Sequence, residues 1–156
     1  MEQGVRRQGR ELALKVLYSL YDHDREIDFI LDDFWGSFRF QNDTLGEPID
    51  DLSQKIPSHI KAFAEILVRG VVDHLAEIDA VIDKYSTNWA LDRMARVDLS
   101  LLRLAAYELL YQPDVPVSVV INEALEIGKR YGTGDTSPFI NGILDKISKQ
   151  RTGKNE

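Results

Sequence analysis

The stretch Val97-Asp-Leu-Ser-Leu-Leu-Arg-Leu-Ala-Ala-Tyr-Glu-Leu-Leu-Tyr111 decides the fold. Only Asp98, Ser100, Arg103 and Glu108 are firmly polar in it, and they share no single helical face. Ala, Leu, Arg and Glu are strong helix formers, and the stretch contains neither Gly nor Pro. An ordinary surface helix carries one apolar stripe, whereas one that is apolar nearly all round is enclosed by others. At about 1.5 Å per residue it is too short for a bilayer, which needs about 20 apolar residues. The reading is a central rod in a soluble all-α domain. Arg103 and Glu108 must then find partners, because an unpaired buried charge costs several kcal/mol.

The other segments supply the helices around that rod. Ala13, Val16, Leu17 and Leu20 recur at the spacing of one buried face, predicting a first helix from Val5 to about Tyr21. Ile27, Ile30, Leu31, Phe34 and Phe38 predict a second over 24–38, capped by Asp22 or Asp24. Residues 39–56, with Gly46, Pro48 and Asp50-Asp51, read as a loop or frayed segment. Pro57 opens a third helix whose apolar period runs unbroken to Tyr85. Pro113 and Pro116 end the rod, and Val117 to Tyr131 forms the next helix, with Gly132 as its left-handed C-cap. Ser137-Pro138 reads as N-cap and first residue of a last helix reaching about Lys149, with a loose polar tail at 150–156. About seven helices result, in one domain spanning 1–156, with an acidic and weakly characterised part at 22–56.

The net charge of −7 argues against nucleic acid until its distribution is considered. Residues 1–20 carry four cations against two acids, and 129–156 carry six against three. Residues 22–52 carry ten acids against two cations. Two basic ends around an acidic middle suit a localised anionic partner, although solvated helix ends give the same pattern. Arg6 and Arg10 lie one above the other on the first helix with Arg7 about 100° round. Cations at an amino-terminal end oppose the helix dipole, a local conflict that hints at function.

Catalytic chemistry finds no support. There is no cysteine, which excludes disulfides and thiolates and suits a reducing cytoplasm. His23, His59 and His74 share no metal-ligand spacing, and His74 reads as a core histidine. Gly132-Thr-Gly134 lacks the Lys and the preceding strand of a phosphate loop, and no serine has the setting of a nucleophile elbow. The expectation is a binding protein with no cofactor, no metal site, no membrane span and no secretion signal.

Four blocks carry a family likeness. Arg6-Arg-Gln-Gly-Arg-Glu-Leu-Ala-Leu-Lys-Val-Leu-Tyr18 resembles the arginine-rich first helix of the NusB family. Val97-Asp-x3-Leu-Arg-Leu-Ala-Ala-Tyr-Glu-Leu109 resembles its central helix. Val115-Pro-x4-Ile-Asn-Glu-Ala124 and Phe139-Ile-Asn-Gly-Ile-Leu-Asp145 resemble its two carboxy-terminal signatures. The resemblance implies two packed helical sub-bundles and a bacterial transcription antitermination factor. Such a factor binds boxA-type single-stranded RNA together with the NusE ribosomal protein, within an RNA polymerase antitermination complex that reads through terminators, notably in ribosomal RNA operons. It implies RNA contacts by Arg6, Arg7, Arg10, Lys15, Phe139 and Asn141, and a NusE surface including Tyr18 and Asp98. Phe139 is open between stacking and core roles, and Asn141 between reading a base edge and bracing a loop. Pro138 stands where relatives often carry a basic residue, so no phosphate contact is assigned there. NusB-like domains also occur in some ribosomal RNA methyltransferases, but no cofactor-binding domain is found here. A helical protein-interaction module without RNA binding is the other alternative, and a homodimer remains possible.

Overall fold

The computed structural model describes residues 2–20, 26–37 and 56–155, and among these there are seven α-helices and no strand. The acidic stretch from 38 to 55 and the candidate caps Asp22 and Asp24 lie outside the described residues. In chain order the helices are α1 (Glu2–Ser19), α2 (Ile27–Ser37), α3 (Ser58–Asp73), α4 (Leu75–Tyr85), α5 (Arg96–Tyr111), α6 (Val117–Tyr131) and α7 (Thr136–Asn155). A 3-10 turn, Leu91–Arg93, leads into α5. The chain divides into two compact units, Met1–Val72 and Asp73–Glu156.

In the first unit α1 packs on α2. The helices α2 and α3 are tied by polar side chains. Trp35 Nε1 donates to Glu65 Oε2 at 2.7 Å, and the Arg69 guanidinium reaches Asp28 at 2.6 Å. Leu12 to Leu14, Val16 and Leu17 are buried, as are Ile30, Leu31 and Phe34. Most of the predicted apolar positions are therefore buried, while Leu20 and Ile27 are half-buried and Ile66 on α3 is exposed.

The second unit is built on α5, which packs against α4, α6 and α7. All positions from Leu99 to Leu109 are buried except Arg103. Arg103 has the expected partner: its Nε and Nη2 donate to the two carboxylate oxygens of Asp79 on α4, each at 2.9 Å. Such a planar, two-bond pairing is what a half-buried guanidinium requires.

The end of α5 is satisfied from a distance in sequence. The last carbonyls of a helix lack intrahelical donors. Arg151 on α7 donates from Nε to Leu109 O at 2.8 Å and from Nη2 to Glu108 O and Gln112 O at 2.7 and 2.9 Å. Its Nη1 donates to Val115 O, in the turn beyond. Burial pushes its pKa down, and the neighbouring charge of Glu108 opposes that shift. The expected end of this helix near Lys149 is thus corrected. The helix runs to Asn155, because Arg151 ties its last turns to α5.

Four further expectations are revised. The single helix from Pro57 to Tyr85 is two, parted at His74 (φ −114°, ψ 20°), where the boundary between the units also falls. Asp and His are weak helix formers, and Ile78 N bonds at once to His74 O, so the apolar phase survives the break. His74 is half-buried, not core: it stacks on Tyr111 with centroids 3.9 Å apart, and its Nδ1 lies 3.3 Å from Glu77 Oε2. Tyr111 donates to the same oxygen at 2.9 Å, and these two bonds hold the Glu77 carboxyl below its ordinary range. Gly132 is extended (φ −99°, ψ −158°), not left-handed. It is needed for space: a Cβ there would lie 2.7 Å from Thr136 Cβ and 2.9 Å from Gly128 O. The last helix opens at Thr136, so Ser137 and Pro138 sit inside its first turn, where Ser137 Oγ donates to Leu125 O on α6 at 2.9 Å.

Replacing Arg151 by Met removes charge-assisted bonds to four carbonyls. Stability should fall by roughly 2–3 kcal/mol, a drop in Tm on the order of 5–10 °C for a chain of this length. Arg151→Lys should recover only part of it, since an ammonium lacks the planar fork. Thermal melts of the two variants check this.

Candidate nucleic-acid interface

The basic residues of α1 are not equivalent. Arg6 is exposed and Arg7 half-buried, while Arg10 and Lys15 keep only 3% and 9% of their surface. The ring of Phe63, from α3, separates their roles. Arg6 Cζ lies 5.0 Å and Arg10 Cζ 5.7 Å from its centroid. A guanidinium over an aromatic face is attracted by the ring quadrupole. Gly9 makes the approach possible, since a Cβ there would come 2.5 Å from Phe63 Cδ2. The expected even fan of three guanidiniums is therefore divided: Arg6 and Arg7 offer charge to solvent, and Arg10 and Lys15 lie behind them. Phe63 was legible only as an apolar face residue, because its role depends on residues of α1 more than fifty positions earlier. Tyr18 is half-buried near the far end of α1.

In the second unit Phe139 is half-buried on the first turns of α7. It packs perpendicular to Trp89, with centroids 6.3 Å apart and planes at 81°. Trp89 itself was missed, since the sequence marks it only as part of a break in pattern. Asn141 is exposed and lies some 200° further round the helix than Phe139. It lines an open groove of about 520 Å³ beside Lys129, Gly132, Gly134, Ser137 and Pro138. The two predicted RNA residues of α7 thus flank its amino-terminal end on different sides, and the structure does not bring them into one cluster.

Asp98, in the first turn of α5, has a structural duty. Its Oδ1 accepts from Thr136 Oγ1 at 2.7 Å, and that hydroxyl oxygen accepts from Thr133 N at 3.0 Å. Thr136 is 1% exposed. The start of the rod is thereby fastened to the turn between α6 and α7. No local signal marks Thr136, which precedes the better helix-start pair Ser137-Pro138.

Among the described residues no group of three or more His, Asp or Glu side chains is placed to hold a metal ion, and no helix is long and apolar enough to cross a membrane. The first unit presents cations at the start of α1, and the second pairs Phe139, in the first turns of α7, with Trp89 in the turn after α4.

Comparison with known proteins places the fold. The model of the NusB family matches residues 7–149. The transcription antitermination protein NusB of Syntrophotalea carbinolica is 57% identical over 149 residues, 96% of this chain and 95% of that protein. The structure of T. maritima NusB superposes with a TM-score of 0.73 at 36% identity, covering 93% of this chain and 91% of that one. The crystal structure of antitermination factors NusB and NusE in complex with double-stranded RNA shares the fold, with a TM-score of 0.73 at 23% identity over 94% of this chain and 97% of that one. The chain belongs to the NusB family.

Asp98 allows structure and partner contact to be separated. Asp98→Asn keeps an oxygen for Thr136 and should leave stability within about 0.5 kcal/mol. Asp98→Ala strands a buried hydroxyl and should cost roughly 1–3 kcal/mol. If the charge also meets a partner, both variants should weaken NusE binding alike, by calorimetric titration.

Proposed function

We propose that this chain is a transcription antitermination factor that binds boxA-type single-stranded RNA jointly with the NusE ribosomal protein. As part of an RNA polymerase complex it promotes read-through, notably in ribosomal RNA operons. The observation that carries the reading is the placement of Arg6 and Arg7 at the start of α1, Arg6 over Phe63, in a member of this family. Relatives support it by name, and a neighbour of the same fold has been solved with NusE and double-stranded RNA.

Cations held at a helix start meet phosphate oxygens alongside the free amide groups there. Arg10 and Lys15 add to the local positive field, and Arg10 lies against the Phe63 ring. Phe139 supplies a ring for an unpaired base, and Asn141 a pair of hydrogen-bonding groups across the end of α7. An unpaired base is the natural partner of such a ring, which favours the single strand over a duplex. Asp98 and Tyr18 contribute to the NusE surface. With a net charge of −7 the molecule has no general attraction for RNA, so affinity rests on these local groups and rises when NusE adds its own surface.

Salt titration separates the roles. Arg6→Ala and Arg7→Ala should weaken boxA-type and unrelated single strands by similar factors, each lowering the salt slope by about 0.7. Phe139→Ala should cost roughly 1–3 kcal/mol with the slope unchanged. If the arginine variants keep wild-type slope and affinity, the start of α1 is only a solvated face and the protein acts through protein contacts alone.

A further inference from the structure

We infer that Trp89 is a second base-stacking platform, working with Phe139 to hold one nucleobase of the bound single strand in the corner between their rings. This rests on the RNA reading above and names a residue that reading does not use.

Trp89 is 52% exposed and, among the described residues, is the bulkiest exposed apolar side chain beside Phe29, Ile66, Leu75 and Val119. Single exposed hydrophobic residues are common and mean nothing alone. Trp89 differs from the others in two respects. The first is its neighbour. It stands perpendicular to Phe139, centroids 6.3 Å apart and planes at 81°. Two rings at a right angle form a corner that suits a flat heterocycle: a base stacked on one ring turns its edge to the face of the other, the arrangement aromatic groups prefer. The second is rigidity. Trp89 N donates to Ser86 O at 3.1 Å, and Ser86 Oγ donates to Trp89 O at 3.2 Å. Ser86 is itself buried, so the turn that carries the indole is anchored. An exposed indole on a fixed turn loses little freedom when a ligand stacks on it. Arg93, exposed in the 3-10 turn that follows, supplies a cation for the adjoining phosphate. Stacking is tolerant of base identity because every base has a π-face. The corner therefore adds affinity for unpaired strands in general, and sequence preference comes from elsewhere.

The chain has two tryptophans, so Trp35→Phe leaves Trp89 as the sole indole. A short boxA-type RNA oligonucleotide is titrated into this variant in the presence of NusE, with fluorescence as the readout. Quenching that saturates with binding is expected. Trp89→Ala should weaken the RNA about 5- to 150-fold, the equivalent of roughly 1–3 kcal/mol, while Trp89→Phe stays near wild type and the salt slope does not move. If Trp89→Ala melts early, the quench and the Trp89→Phe affinity decide. No quench, or wild-type affinity for Trp89→Ala alongside a loss for Phe139→Ala, overturns the inference and leaves the RNA reading standing. A loss of NusE affinity alone makes Trp89 a protein contact and overturns it too. If the unaltered protein binds no RNA with NusE present, the reading beneath it falls as well.

Discussion

The second unit depends on the enclosure of α5. A helix covered on all sides removes ten residues from water, and with them every polar group they carry. That burial drives folding, and it also demands that each charge and each terminal carbonyl find a partner from another helix. Three partners arise from far along the chain: Asp79 for Arg103, Thr136 for Asp98, and Arg151 for the carbonyls of Glu108, Leu109 and Gln112. The polar contacts at the start, middle and end of the rod fix α4 and α7 in register against it. The hydrophobic effect supplies the force, and these few bonds supply the uniqueness.

The same bonds place the candidate interface. Thr136, held by Asp98, begins α7 and so sets where Phe139 and Asn141 emerge. The anchored turn at Ser86 delivers Trp89 to the Phe139 ring and then runs into α5 itself. In the first unit Phe63 performs a similar service, ordering Arg6 and Arg10 on α1 through close contact at Gly9. The candidate recognition groups of both units thus sit on helix starts and one fixed turn, an arrangement that would limit the entropy lost on binding. Charge is deployed in the same local manner. The acidic total discourages indiscriminate attraction to polyanions, while residues 1–20 keep four cations against two acids.

Helices whose limits are written in local chemistry were legible to within a residue or so. Pro113 and Pro116 mark the gap between α5 and α6, and the apolar period gives Val117–Tyr131 as observed. Features that depend on contacts distant in sequence were not. Nothing local reveals that Arg10 is buried where Arg6 is exposed, or that both guanidiniums lie against Phe63 on another helix. The break at His74 carries neither Gly nor Pro, and the apolar pattern passes through it undisturbed. Arg151 looked like part of a polar tail since its acceptors lie about forty residues earlier. Gly132 was read for its conformational freedom when what it provides is room for Thr136. The candidate site was legible as residue types, in Arg6, Arg7, Phe139 and Asn141, but its aromatic partner was hidden in a turn.

The central claim is that the first unit offers RNA-binding groups at the start of α1, and that the second, organised by α5, offers them around the Trp89–Phe139 corner. Hydrogen–deuterium exchange of the NusE-bound protein, with and without a boxA-type single strand, tests it most directly. The account predicts slowed exchange in the first turns of α1, across residues 86–93 and over 136–142, while α5, already protected by its burial, stays unchanged. Protection confined to other segments, or RNA-dependent change within α5 itself, would contradict it.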